Sequence, residues 1–135
     1  MKTAAAHPVA TPGYSYSGGR LVCRSAGRDA CLASIADEVG TPCYVYDADG
    51  IRGRYESLHA ALAPLGGSIR YALKANPCPA ILELLVSLGA GMDVVSGGEL
   101  ERAWLAGASM DRVVMTGVAN GEAEIRAELA GRFVA

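Results

Sequence analysis

From residue 69 onward, short apolar runs alternate with stretches whose apolar residues fall three or four apart. Candidate strands lie at 69–73, 92–95 and 112–116, and 132–135 opens a fourth. Between them come helical patterns: Ile81, Leu82, Leu84, Leu85 and Leu88, then Leu100, Ala103 and Trp104, then Ile125 and Leu129. The leucine stripes and Trp104 are expected in the core. The repeat of about twenty residues matches one strand plus one helix, so the strands should be parallel and joined by helical crossovers.

Upstream the pattern is less regular. Residues 1–17 read as a flexible leader, and 20–24 as a short strand. A helix is expected from about Asp29 as N-cap, with Leu32, Ile35, Ala36 and Val39 on one face, ending at Gly40-Thr41-Pro42. Cys43-Tyr44-Val45-Tyr46 is rich in strand formers. Asp47 or Asp49 can cap a further helix whose apolar positions are Ile51, Tyr55, Leu58, Leu62 and Leu65. His59 lies on that helix and has no ligand partner in the pattern.

Composition narrows the function classes. Hydrophobic residues are 51% and charged residues 19% of the 135, a globular balance. A net charge of −2 with interspersed signs gives no electrostatic case for nucleic acid or an anionic membrane. No stretch has the length of a membrane span or the apolar core of a secretory signal, so a cytoplasmic protein is expected. The cysteines at 23, 31, 43 and 78 form no C-x-x-C pair and are read as reduced structural thiols, with no metal site.

The stretch richest in chemistry is Tyr71-Ala72-Leu73-Lys74-Ala75-Asn76-Pro77, at the end of the first alternating strand. Ligands of parallel α/β folds gather at the carboxyl ends of strands. A lysine there can offer a desolvated amine that forms a Schiff base with an aldehyde. Taken alone, the heptapeptide also suits a lysine whose stem covers the strand end while its amine stays in water.

The wider context resembles a known family. Tyr71-Ala-Leu-Lys74-Ala-Asn76 followed by Ile81-Leu82, Leu85 and Gly89 is similar to the cofactor-attachment signature of the group IV decarboxylases, which are pyridoxal-phosphate (PLP) enzymes. Upstream, Gly40-Thr41-Pro42-Cys43-Tyr44-Val45-Tyr46-Asp47 looks like that family's entry into its barrel. Downstream, Gly91-Met92-Asp93-Val94-Val95-Ser96-Gly97-Gly98-Glu99-Leu100 looks like its second strand and turn. Within the family, the entry and the turn are most similar to the bacterial diaminopimelate decarboxylases.

The resemblance implies a (β/α)8 barrel of the alanine-racemase-like PLP-binding fold, present here only in part, after three to four strands. The implied segments are a leader (1–17), a strand and helix (18–42) and an incomplete barrel (43–135). It implies a carboxy-lyase that converts meso-2,6-diaminopimelate to L-lysine and CO2, with a small amino-acid substrate and a homodimeric full-length form. Lys74 would be the catalytic residue and hold PLP, and Asp93 and Ser96 would contact the cofactor. Ser96 suits equally a helix cap, with Glu99 in the first turn. Ornithine- or arginine-type decarboxylases and racemases share the barrel, and a non-enzymatic remnant is the remaining alternative. Where relatives carry a lysine after the third strand, this chain reads Thr116-Gly117-Val118-Ala119-Asn120-Gly121. As a fragment, the isolated chain is expected to be inactive.

Overall fold

The computed structural model describes residues 13–25, 27–117, 121, 122 and 126. The expected fourth strand and the helix carrying Ile125 and Leu129 lie outside them. The chain divides into two compact units, residues 1–53 and 54–135.

The first unit holds an antiparallel sheet in the order β1-β2-β3, with β1 at Tyr14–Ser17, β2 at Arg20–Ser25 and β3 at Arg28–Cys31. Tyr14–Ser17, counted above with the leader, thus form a strand paired along its length to β2. The expected helix start is corrected too. Asp29 is no N-cap: it sits opposite Arg24 in the β2–β3 register, and its carboxylate accepts from the Arg24 Nε at 2.9 Å. Cross-strand pairing of opposite charges outweighs the capping preference of an Asp here. The helix α1 begins three residues later, at Leu32–Val39, and Gly40 follows it with φ 84°.

Leu32, Ile35 and Ala36 of α1 are half-buried, while Val39 is exposed. Among the described residues of this unit the buried apolar side chains are Val22 and Cys23. Residues 43–46 do not form a strand. Tyr44 and Tyr46 stack with ring centroids 6.4 Å apart, and the Val45 carbonyl accepts from the Tyr14 hydroxyl at 2.8 Å. A side-chain donor takes the place of a ladder partner. Asp47 does cap the next helix, α2 (Ala48–Leu62), by accepting from the Asp49 amide at 3.0 Å.

All four cysteines are free. Cys23 fits the structural reading: it is buried, and burial together with the nearby Asp47 charge pushes its thiol up. Cys43 is exposed and packs no core. Cys31 is half-buried at the start of α1, where the amide and hydroxyl of Ser34 hold its thiol below the ordinary range.

The second unit is the regular one. Strands β4 (Arg70–Ala72), β5 (Gly91–Val94) and β6 (Val113–Met115) form a parallel sheet in sequence order. Helix α3 (Pro79–Ser87) joins the first pair and α4 (Gly97–Leu105) the second. Parallel neighbours require such crossovers, as the periodicity predicts.

Met92 and Val94 are fully buried, as are Leu73 and Leu82, and Ile81, Leu85, Leu100 and Ala103 add to this core. Trp104 departs from expectation: it is 37% exposed, and Ala103, one position earlier, takes the inward place on α4. Leu58 and Leu65, also assigned to an apolar face, are exposed, and in α2 only Tyr55 is buried. His59 is exposed and stacks on Tyr55, with centroids 5.8 Å apart.

Gly91 is dictated by packing. A Cβ there would run into the carbonyl of Arg112, the residue just before β6. Gly89, just before it, takes φ 93° in the turn that leaves α3.

Candidate active site

The carboxyl ends of the three parallel strands gather most of the polar residues singled out in the sequence. At the end of β4 the chain turns through a short 3-10 segment, Leu73–Ala75, that carries Lys74. Leu73 is fully buried and anchors the turn, while Lys74 is exposed. Two hydrogen bonds hold the turn's exit. The Tyr71 hydroxyl donates to the Asn76 carbonyl at 3.2 Å, and Asn76 Oδ1 accepts from the Cys78 amide at 3.0 Å. The motif residues around Lys74 therefore shape its backbone as well as its surroundings.

Asp93 lies on β5 opposite Ala72, two residues before Lys74 in the paired strand. Its half-buried side chain falls between Met92 and Val94, so the pleat turns it to the face opposite the packed core. Among the described residues no ion pair joins Asp93 to Lys74. The partner of its Oδ1 is instead the Thr116 hydroxyl, at 2.7 Å.

Ser96 is the N-cap of α4, its Oγ accepting from the Glu99 amide at 3.3 Å. Glu99 returns to the Val95 amide at 2.8 Å. This near-reciprocal pair matches the capping reading of the turn. It also leaves the Ser96 hydroxyl proton free to donate elsewhere, because Oγ acts here as the acceptor.

The Thr116–Asp93 bond was not legible in the sequence. Both residues stand at strand ends, but their pairing depends on the β5–β6 register, which sets Asp93 against Val114. The segment where relatives carry a lysine, residues 118–120, lies outside the described residues. Among the described residues, no group of His, Cys, Asp and Glu could hold a metal ion.

Comparison with known proteins decides the family. Residues 48–133 match the pyridoxal binding domain of the pyridoxal-dependent decarboxylases. The chain belongs to that family. It is 39% identical over 116 residues to the diaminopimelate decarboxylase of Pseudomonas fluorescens, covering 86% of this chain and 27% of that protein. It is 44% identical over 94 residues to the Aquifex aeolicus diaminopimelate decarboxylase, covering 70% and 22%. The chain thus spans about a quarter of the length of the curated relatives it matches.

Among solved structures, it is similar to diaminopimelate decarboxylase from M. jannaschii in complex with L-lysine. The TM-score is 0.79 at 32% identity, covering 88% of this chain and 28% of that one. A lysine/ornithine decarboxylase from Vibrio vulnificus complexed with cadaverine gives 0.68 at 31% identity, covering 73% and 27%. The fold is accordingly α/β, a partial barrel of the alanine-racemase-like PLP-binding type, and β4–β6 are three of its parallel strands.

The end of β4 fits the family's cofactor. Covalent attachment needs an approachable amine, and Lys74 is exposed at a strand end with no ion pair among the described residues.

Proposed function

We propose that this chain supplies the lysine-bearing part of a PLP-dependent diaminopimelate decarboxylase, with Lys74 holding the cofactor through its ε-amine. The reaction would remove the carboxylate at the D-configured centre of meso-2,6-diaminopimelate, giving L-lysine and CO2. The observation that carries this reading is the 39–44% identity to diaminopimelate decarboxylases across most of the chain. Bound PLP would supply the electron sink for the charge left by CO2. The chain's own part is positional.

Lys74 would hold the cofactor through Nζ at the carboxyl end of β4, and the same amine would be placed to hold a proton beside the substrate. Asp93, paired with Ala72 two residues before Lys74, would be the carboxylate that borders the cofactor-bound lysine. Ser96, whose Oγ accepts from the Glu99 amide, would have its hydroxyl proton available for a polar group of the ligand. A cytoplasmic, homodimeric full-length enzyme belongs to the same proposal and rests on the family resemblance.

A second reading has a specific observation behind it. Likeness to the lysine/ornithine decarboxylase leaves room for another basic amino-acid substrate. The test uses the full-length protein with saturating PLP. Borohydride reduction and peptide mapping should find the cofactor on Lys74, and Lys74→Ala should abolish both the adduct and CO2 release. Release of CO2 from L-lysine or L-ornithine but not from meso-diaminopimelate would replace the first reading with the second. An undiminished adduct in the Lys74→Ala protein would move the attachment elsewhere.

A further inference from the structure

The bond from Thr116 to Asp93 is additional to what joins the strands. The Thr116 amide already continues the ladder past β6 by donating to the Val94 carbonyl at 2.9 Å. The hydroxyl then reaches Asp93 Oδ1 at 2.7 Å. Asp93, Ala72 and Val114 share one row of the sheet, and Thr116 stands two residues beyond Val114, on the same face. That row runs from β6 through Asp93 to β4, and the Lys74 turn follows directly on β4. Among the described residues, the second oxygen, Oδ2, accepts no hydrogen bond.

We propose that Thr116 is a positioning residue. Its hydroxyl holds one oxygen of Asp93 on the β6 side, so that the free oxygen faces β4 and the nitrogen of Lys74 that carries the cofactor. This rests on the reading that Lys74 holds PLP. A carboxylate restrained in this way favours the cationic form of that nitrogen more than one free to rotate into water.

The other charged groups among the described residues near the turn do not serve this purpose. The Lys74 turn packs on β5 and α4. On β5 the charged residue is Asp93 itself. On α4, Glu99 is engaged by the Val95 amide, and Glu101 and Arg102 are exposed. Beside β6, Arg112 bonds the Gly89 carbonyl and Asp111 bonds Ser109, both before the strand begins.

The experiment follows the visible absorbance of the lysine-bound cofactor against pH in full-length protein loaded with PLP. Thr116→Val keeps the shape and removes the donor. Its pH midpoint should fall by roughly half a unit to one unit, as expected when a nearby opposite charge loses its hold. Asp93→Asn should lower the midpoint at least as far, and adding Thr116→Val to it should lower it no further. Thr116→Ser, which restores the hydroxyl, should restore the midpoint.

Borohydride trapping separates the role of Thr116 from the attachment of the cofactor to Lys74. A Lys74 adduct in every variant, with Thr116→Val unshifted or Thr116→Ser unrestored, overturns the role of Thr116 and leaves the cofactor reading standing. Absence of an adduct on Lys74 in the unaltered protein removes that reading and the proposal with it.

Discussion

The antiparallel sheet β1–β3 and the parallel sheet β4–β6 each have three strands, yet they rest on different amounts of interior. Among the described residues of the first unit the buried apolar side chains are Val22 and Cys23, and α1 contains no buried residue. In the second, Leu73, Leu82, Met92 and Val94 are fully buried, and residues from both crossover helices join them. The contrast follows from connectivity. Antiparallel neighbours close through tight turns, so their pairing contacts are near in sequence and cheap in loop entropy. Parallel neighbours require a whole helix between them, and burial of that helix's apolar face must offset the ordering. Lys74, the proposed attachment residue, stands at the edge of the well-buried sheet, where Leu73 anchors its turn. A proposed site there would have buried, well-packed side chains beneath it.

Cavity formation should separate the two units most. Met92→Ala removes a fully buried side chain and is expected to cost about 2–5 kcal/mol by urea denaturation. Val22→Ala removes two carbons from a small interior and should cost roughly 1–2 kcal/mol. An equal or larger loss at Val22 would break the comparison.

Glycine substitution gives the next effect. Gly91→Ala must push the Arg112 carbonyl away and should cost about 1–3 kcal/mol, with faster amide exchange in β5 and β6. Gly27, in the hairpin of the first unit, has φ 71° but open space around it. Gly27→Ala should therefore show only the backbone strain of the left-handed region, about 1–2 kcal/mol. Exchange that quickens in the first unit instead of β5–β6 when Gly91 is replaced would refute the packing account.

The smallest effect should come from the exposed Arg24–Asp29 pair. Hydrogen bonding to Arg24 lowers the Asp29 carboxyl below its ordinary value. The pair's contribution is thus fully present above the ordinary carboxylate range and is lost as pH falls through the lowered value. Because both side chains are solvent-exposed, the loss should be barely measurable. Asp29→Asn should leave the pH dependence of unfolding almost unchanged, and a clear flattening on the acid side would show the pair to matter more.

Much of the second unit was legible because its period was regular and its strand ends carried recognisable residues. The three parallel strands fell within one or two residues of the expected positions, and Ser96 caps α4 as its place before Gly97 and Glu99 suggested. The first unit was less so. Asp29 has the composition of a cap, and only the neighbouring strand, which presents Arg24 to it, makes it a pairing residue. Trp104 fell on an apolar spacing, yet Ala103 took the buried place, because hydrophobic periodicity does not settle which neighbour a helix turns inward.

The sequence by itself determined the alternation of strand and helix, the parallel class of the second sheet, and the lysine at a strand's carboxyl end within a family signature. These are local properties: periodicity, capping chemistry and a contiguous motif are all written within a few turns of chain. The tertiary structure alone decided which residues share a row. The β5–β6 register brings Thr116 to Asp93 across 23 positions of sequence, and the β4–β5 register sets Ala72, just before the Lys74 turn, against that same carboxylate. Register depends on how two faces pack together, and a shift of one residue would turn Asp93 to the opposite side of the sheet.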